Sequence, residues 1–369
     1  MIRLLPFWGL AACLPSPGKR PTPEDTGLSD GPLAVVATTS LDYATGALAT
    51  VSLDGRAVRA GVATLTGDPA VRSAPGLVIQ LNRYGHDTVR LYRPGDWSAP
   101  QREWSVADGA SPPPNPVDAT VCGGFLWVAL LNRDTLPSWD PATGLRGPTA
   151  DLRAFADGDG IGPEPGSLVA RDGVLYVALQ RLDQSAGWVD TGGRIVALDC
   201  ADGRVLQSWE AAGNPAVAPW PGDPRLLVRA RAFGGQPGGL FALDPALPGL
   251  TPLFPMDTAE DAPLQAAATG RHALLVRLRR DYSASAIDCV DLDAGTATRH
   301  SETAAFLAAA EAAPDGTVWL AQHWGWEDPA AVRPGLRILD PATCAERTDA
   351  PIDLGLGPVS LAFSPPDSP

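Results

Sequence analysis

The chain has 369 residues, among them 39 Gly and 38 Pro, with 45% hydrophobic residues and a formal net charge of −14. This length and composition provide a large core, and the many turn-forming residues argue against a fold built from long helices. The acidic balance argues against nucleic acid as a partner, because nucleic-acid recognition requires basic patches.

The first residues carry the pattern of an export signal. Arg3 precedes an apolar run over residues 4–10, and the letters LAAC end at Cys13. This pattern resembles the lipobox of bacterial lipoproteins, and the resemblance implies cleavage before Cys13 and a lipid on its sulfur. We therefore expect a signal peptide over 1–12, a flexible Pro/Ser-rich tether over 13–32 and an outer-membrane anchor. The alternative is a chance LAAC in an alanine-rich chain.

From residue 33 onward, units of four short strands recur about every 40 to 50 residues, a spacing typical of propellers. With strands named a to d from the inside of a blade outwards, the predicted strands are 33–38, 47–53 and 58–65 (blade 1); 69–73, 77–82, 88–92 and 102–106 (blade 2); 118–122, 125–131, 137–139 and 148–152 (blade 3); 167–170, 174–179, 194–198 and 205–209 (blade 4); 215–219, 225–231, 239–243 and 251–254 (blade 5); 264–268, 273–278, 287–292 and 296–300 (blade 6); 306–312, 317–323, 336–339 and 346–352 (blade 7).

The last predicted strand, 359–364, has the character of the strand a that blade 1 lacks. A ring that takes its missing strand from the opposite terminus leaves no open sheet edge. The sequence therefore predicts an all-β, seven-bladed propeller over residues 33–366, closed by the C-terminal strand.

Turn signals support this division into blades. Residues 167–210 are the clearest unit, since Asp172-Gly173 between two apolar runs is a strong hairpin signal. The turn between strands c and d recurs with an Asp at its start, in the segments that begin at residues 52, 138, 197, 242, 291 and 338. Asp accepts a hydrogen bond from the backbone two residues on, which favours a structural role for these turns.

The segments LVIQLNRYGHDTVRLYRP, FLWVALLNRD and VLYVALQRLD, which begin at residues 77, 125 and 174, resemble the seven-bladed bacterial propellers of the YVTN/YncE-like type. The resemblance implies the fold and not a function, because repeat motifs of this kind specify architecture. A weaker local likeness links IVALDCADGRVLQSWE, from residue 195, to the repeats of PQQ-type propellers. Those families dock blades with a Trp in most repeats, and here only Trp209 stands at that place.

Guanidinium and amide side chains follow strand b in six blades, and we call this set the crown. Its members are Asn82, Arg83, Asn132, Arg133, Gln180, Arg181, Arg229, Arg231, Arg277, Arg279, Gln322 and His323. Arginine presents a rigid donor fork to carboxylates, phosphates and acidic partners, so the crown is a candidate ligand-binding face. In the alternative, each arginine pairs with a carboxylate just downstream in its own loop, namely Asp87, Asp134, Asp183 or Asp281.

The loops at 183–193 and 324–335 are the longest between strands b and c, and both carry tryptophan. Trp188 lies in the first, and Trp324 and Trp326 lie in the second. Large aromatic side chains in long loops anchor partners, which adds these three residues to the candidate binding face. Packing over the tops of the blades is the equal alternative.

The segment before blade 4 contains the best candidate for a metal site. Asp157, Asp159 and Glu164 supply hard oxygen ligands on a glycine-rich backbone, which suits calcium. The segment lacks the later ligands of an EF-hand, so an acidic turn is the alternative. The four histidines form no zinc-binding pattern, and no other cofactor is predicted.

Four cysteines follow Cys13, at positions 122, 200, 289 and 344, without a CxxC motif. In an exported protein an even number is typical of disulfides, and four cysteines allow three pairings. The predicted blades do not select one pairing, and small buried residues are the alternative.

These features lead to three functional hypotheses. The first is a membrane-anchored envelope propeller that acts as a non-catalytic binding or scaffolding module for a protein or glycan. The second is a calcium-dependent lactonase or hydrolase, of the kind in which a propeller holds a cation in its central opening. This hypothesis requires the acidic trio to face the channel. The third is a PQQ-type quinoprotein or an outer-membrane assembly factor, which the single docking tryptophan disfavours.

Overall fold

The computed structural model describes residues 32–54, 57–231, 238–257, 260–325 and 327–364. Seven four-stranded antiparallel sheets form the blades of a propeller. Strands a to d are Gly357–Phe363, Leu33–Thr39, Gly46–Ser52 and Val58–Leu65 in blade 1; Pro69–Ala74, Leu77–Asn82, Thr88–Tyr92 and Arg102–Ser105 in blade 2; Pro116–Cys122, Phe125–Leu130, Thr135–Trp139 and Arg146–Asp151 in blade 3; and Pro165–Arg171, Val174–Leu179, Gly193–Asp199 and Val205–Ala211 in blade 4.

The remaining blades have the same order. Strands a to d are Pro215–Ala218, Leu226–Ala230, Gly238–Leu243 and Thr251–Met256 in blade 5; Asp261–Thr269, His272–Arg279, Ser285–Asp291 and Thr296–Thr303 in blade 6; and Ala305–Ala312, Val318–Gly325, Gly335–Asp340 and Ala345–Glu346 in blade 7. Two short 3₁₀ turns, Arg153–Phe155 and Pro329–Ala331, lie in connecting segments. Among the described residues, no helix is long and apolar enough to span a membrane.

The C-terminal strand closes the ring, as the sequence predicted. Gly357–Phe363 pairs antiparallel with Leu33–Thr39 and becomes the innermost strand of blade 1. The backbone of Ser364 donates a hydrogen bond to Leu33 O at 2.8 Å, and Leu33 N donates to Ser364 Oγ at 3.1 Å. The two ends of the described chain are therefore joined by a full strand ladder, and blade 1 has no unpaired inner edge.

The hydrophobic core is divided into seven clusters, and each fills the space between two neighbouring blades. Strand b of blade 4 shows how the sequence produces this division. Leu175, Val177 and Leu179 pack toward blade 3, whereas Tyr176 and Ala178 pack toward blade 5. Successive side chains of a strand point to opposite faces, so a strand buried on both faces must be apolar at every position.

The predicted turns between strands c and d are confirmed in blades 3 to 7. In each, the aspartate Oδ1 accepts the backbone N–H two residues on, for example Asp199 from Ala201 at 2.9 Å and Asp340 from Ala342 at 3.0 Å. The pairs in the other three blades are Asp140 with Ala142, Asp244 with Ala246, and Asp291 with Asp293. These carboxylates satisfy backbone donors at the turn, which gives them a structural role.

Two disulfides join neighbouring blades. Cys122 at the end of strand a in blade 3 is bonded to Cys200 in the c–d turn of blade 4, with a Cα–Cα distance of 5.4 Å. Cys289 in blade 6 is bonded to Cys344 in the c–d turn of blade 7, with a Cα–Cα distance of 5.7 Å. The structure thus selects one of the three possible pairings. Disulfides are typical of proteins that fold in an oxidising compartment.

The outer strand of blade 7 is shorter than the sequence predicted. Instead of 346–352, strand d is Ala345–Glu346, and the chain then makes an isolated bridge in which Leu336 and Ile352 exchange both backbone hydrogen bonds. Pro351 has no N–H to donate, so the segment cannot continue a regular ladder.

Candidate functional site

The crown residues at the ends of strands b lie on one face of the ring, which we call the top face. Consecutive strands are antiparallel, so the b–c loops and the connections from strand d to the next strand a lie at the same end of every blade. The arginines there form ion pairs with carboxylates of other segments. Arg133 pairs with Asp108, with a shortest distance of 2.6 Å, Arg83 pairs with Asp68, and Arg279 Nη2 lies 2.7 Å from a Glu302 carboxylate oxygen.

Three of the four downstream carboxylates expected to pair with these arginines have other partners. Asp183 accepts hydrogen bonds from Ser185 and Ala186, and Asp281 accepts from Ser283 in its own turn. Asp87 is buried and accepts a hydrogen bond from the backbone of the segment before blade 3. Asp before a tight turn bonds its own loop first, which is why the spacing along the sequence suggested the wrong partners.

The amide members of the crown stabilise the loops. Asn82 is buried and bonded to Thr66, Gln80 and Thr88. Asn132 is also buried and donates to a backbone carbonyl of the segment before blade 3 at 2.7 Å.

Two further crown arginines also have intramolecular partners. Arg181 Nη1 donates to Gly192 O at 2.8 Å across the long loop of blade 4. Arg231 contacts Tyr282, which holds its pKa up while burial lowers it. Most of the crown is therefore committed to intramolecular contacts.

His323 lies in an aromatic cluster between blades 7 and 1. Its ring centroid is 4.8 Å from that of Trp324, 5.9 Å from that of Tyr43 and 6.5 Å from that of Phe306. Burial lowers the pKa of His323 to about 4, so the imidazole is neutral near pH 7. Trp324 thus packs over the blades, one of the two alternatives for the loop tryptophans. Trp326 lies outside the described residues.

Trp188 occupies the other long loop and remains half exposed. Trp188 is 50% exposed, and a short hairpin, in which the two-residue strands Leu182–Asp183 and Val189–Asp190 pair, holds the loop in place. The residue adopts φ = 67°, a left-handed conformation that is unfavourable for a bulky side chain. Of the two loop tryptophans that the structure describes, Trp188 is therefore the one that the top face presents to solvent.

The acidic trio predicted as a metal site is brought together. One carboxylate oxygen from each of Asp157, Asp159 and Glu164 lies within 4.8 Å of the others. Glu164 is fully buried, and its pKa is raised to about 8 by burial and by Asp157 and Asp159, although hydrogen bonds from Leu182 and Gln184 oppose the shift. The trio has the oxygen donors that suit a hard cation. None of the three lines the central channel, however, which the calcium-dependent hydrolase required.

The central channel contains a cavity of about 770 Å³, within the range of small-molecule sites. Strands a of the blades form its wall. Polar side chains of the wall, including Arg229 on strand b of blade 5, bond the neighbouring blade: Val71 N donates to Ser360 Oγ, Leu168 N to Asp118, Val217 N to Ser167 Oγ, Gln265 Nε2 to Ala308 O and Arg229 Nη1 to Pro263 O, at 2.7 to 3.3 Å. Much of the polar wall therefore serves to hold the ring together.

Six charged side chains line this cavity, and four of them are paired. Arg72 pairs with Asp118 within the wall. The pair of Arg83 and Asp68 also lines the cavity, so Arg83 and Arg229 are the two predicted crown arginines that reach it. The other two charged residues are Arg229 and Glu311, and neither forms an ion pair within the described part of the chain. The channel therefore holds one cation and one carboxyl group without an ion-pair contact in the described part of the chain.

Burial favours the neutral form of both unpaired groups, so it raises the pKa of the carboxyl group and lowers that of the guanidinium. The pKa of Glu311 is raised to about 7 by burial and by Asp118, while Arg72 acts in the opposite direction. The pKa of Arg229 is lowered to about 9 by burial and by the neighbouring charge of Arg231. Each charge would thus be stabilised by a ligand group of opposite sign.

Sequence reasoning missed Glu311 and placed Arg229 on the crown. Glu311 is the only carboxylate in the alanine-rich run FLAAAEAA of blade 7, and a charged residue among small ones on an innermost strand is a usable signal for a channel site. Arg229 lies within strand b, and its guanidinium reaches Pro263 O of the next blade at 3.3 Å instead of the top face.

Neither a protein-family model nor a curated protein sequence matches the chain. Among solved structures, the periplasmic gluconolactonase of Pseudomonas aeruginosa is 14% identical with a TM-score of 0.59, covering 90% of this chain and 98% of that one. A candidate 6-phosphogluconolactonase of Bacteroides uniformis is 13% identical with a TM-score of 0.61, covering 90% and 99%. Hydrazine synthase of Kuenenia stuttgartiensis is 15% identical with a TM-score of 0.60, covering 81% and 89%. At these identities the likeness shows the fold alone.

Proposed function

We propose that this protein is a non-catalytic binding module of the bacterial cell envelope that holds a small polar solute in its central channel. The observation that carries the proposal is the pair of unpaired charged groups, Arg229 and Glu311, in one cavity of about 770 Å³. Charged groups that are partly withdrawn from water and lack an ion-pair partner are costly, and such groups occur at sites where a ligand supplies the partner. The top-face residues support the proposal less, because most of them already have intramolecular partners.

A channel-filling substitution tests this proposal. Ala218 lines the cavity in blade 5, so Ala218→Trp is expected to occupy the channel. Charged solutes of small size, screened by thermal melting, should raise the melting temperature of the wild type and not that of Ala218→Trp. Ala246→Trp, in an exposed turn of the same blade, is the matched control and should behave as the wild type. Solute binding that survives Ala218→Trp would contradict the proposal.

A second candidate function is the hydrolysis of a lactone in the same channel. Glu311 favours it, because a carboxylate whose pKa lies at about 7 is matched to general base catalysis near neutral pH. In this reaction Glu311 takes a proton from water as the water oxygen adds to the lactone carbonyl carbon. The tetrahedral intermediate then collapses with cleavage of the ring C–O bond, and Glu311 returns the proton to the leaving alkoxide oxygen, which gives a hydroxy acid. Two of the similar structures carry lactonase names. Ring opening of gluconolactone that exceeds the spontaneous rate and disappears in Glu311→Gln would favour this candidate over pure binding.

The envelope location rests on the lipobox at Cys13, which lies outside the described residues, and is supported by the two interblade disulfides. We expect the wild-type chain to fractionate with membranes and Cys13→Ala to appear in the soluble fraction. Membrane association of Cys13→Ala would refute the lipid anchor while leaving the binding proposal untouched.

A further inference from the structure

The two unpaired groups of the channel have opposite signs and stand on different blades. Arg229 belongs to strand b of blade 5, and Glu311 belongs to strand a of blade 7. Blade 6 separates them, and the strand a of that blade also lines the cavity. Neither group contributes to the pKa shift of the other, in keeping with their separation.

No side chain within the described part of the chain bridges the two groups. Gln265 stands on the innermost strand of blade 6, but its amide nitrogen donates to Ala308 O at 2.8 Å. Arg72, the cation that acts on Glu311, is held in its ion pair with Asp118. The carboxylate of Glu311 accepts no hydrogen bond from any described residue, and the guanidinium of Arg229 has only the long bond to a backbone carbonyl.

A solute that carries charge of only one sign would compensate at most one of these charges. An anion would satisfy Arg229 and be repelled by ionised Glu311, whereas a cation would satisfy Glu311 and be repelled by Arg229. A molecule that carries both charges at opposite ends satisfies both, and the cavity has room for one.

We propose that the ligand of the channel is a zwitterion of the amino acid or short peptide class, with its carboxylate on Arg229 and its ammonium group on Glu311. This inference rests on the proposed binding function. The guanidinium fork matches a carboxylate with two parallel hydrogen bonds. An ammonium group offers three donors to a carboxylate that has no other donor.

A matched set of probes tests both ends of the ligand separately. Alanine, Ala-Ala and Ala-Ala-Ala place the two charges at separations up to about 10 Å. For each, the N-acetylated form removes the ammonium group and the C-terminal amide removes the carboxylate. Isothermal titration calorimetry should show one length that binds best, and each blocked form of it should bind at least about tenfold more weakly.

Two variants assign each end of the probe to its residue. Glu311→Gln should bind the free and the N-acetylated peptide equally, while still preferring the free carboxylate over the amide. Arg229→Gln should show the reverse pattern. Because Arg229→Gln also removes the contact with blade 6, circular dichroism and melting must show that this variant is folded. If Arg229→Gln does not fold, the result for Glu311→Gln is sufficient.

The outcomes separate this inference from the function on which it rests. If acidic or neutral solutes bind in a manner that Ala218→Trp abolishes, but blocked and free peptides bind alike, the zwitterion is wrong and the binding channel stands. If Ala218→Trp changes no binding at all, both proposals fail.

Discussion

Glu164→Gln is expected to stabilise the protein at alkaline pH and to leave it unchanged at acidic pH. Glu164 is fully buried, and its pKa is raised from 4.5 to about 8, first by burial. Leu182 N donates to its Oε2 at 3.1 Å, and glutamine can accept this hydrogen bond as the protonated acid does. The substitution therefore replaces the neutral form by an isostere that cannot ionise.

The sign and size follow from linkage between protonation and folding. The folded state holds the proton more tightly, so this stabilisation is complete below the unfolded pKa and is lost as pH rises through about 8. A shift of this size corresponds to at most about 5 kcal/mol. Because part of the shift comes from the charges of the half-buried Asp157 and Asp159 beside Glu164, we expect about 2 to 3 kcal/mol.

Thermal melting across pH measures this difference. For a chain of this length, about 1 to 2 °C corresponds to each kcal/mol, so Glu164→Gln should melt about 3 °C above the wild type near pH 9 and level with it near pH 5. Glu210→Gln is the control, since the Glu210 side chain is 85% exposed, and should show no such trend. A difference between Glu164→Gln and the wild type that does not change with pH would refute the raised pKa.

Three further substitutions test the fold and the channel. Replacing Cys122 and Cys200 together by Ala opens a loop of 78 residues and should lower the free energy of unfolding by about 2 to 4 kcal/mol, measured by melting. If this bond dominates the contribution of the disulfides, the reduced wild type should melt at the same temperature as the variant. Glu311→Gln should gain stability over the wild type as pH rises through about 7, for the reason given for Glu164, and an unchanged pH profile would contradict its burial in the channel. Trp209→Phe removes the hydrogen bond from the indole Nε1 to Leu247 O at 2.8 Å and should cost about 1 to 2 kcal/mol by loss of docking between blades 4 and 5; no cost would show that the bond is dispensable.

The fold could be predicted from the sequence because its signals are local. The apolar runs of strand b, such as 174–179, are buried on both faces and therefore read as continuous hydrophobic segments. Asp-initiated turns mark the same place in successive blades, and the apolar strand after residue 356 has no partner unless the ring closes. The outer strand of blade 7 was overestimated, since Pro351 interrupts a segment whose composition otherwise suits a strand.

The candidate site was predicted less well, because it depends on contacts between distant segments. Spacing gave the acidic trio, whose members are close in sequence, and the structure brings them together. Spacing along the sequence did not predict the partners of Arg83 and Arg133, which lie in the segments that connect each blade to the one before it. Glu311 differs from its neighbours only in where the ring places it, and one sequence does not show which face of an innermost strand lines a channel.

A crystal structure of the protein with the best-binding peptide tests the central claim most directly. We expect electron density for one peptide inside the channel, with its carboxylate within hydrogen-bond distance of Arg229 and its ammonium group within that distance of Glu311. A peptide bound at the top face, for example against Trp188, with the channel filled by solvent alone, would contradict it.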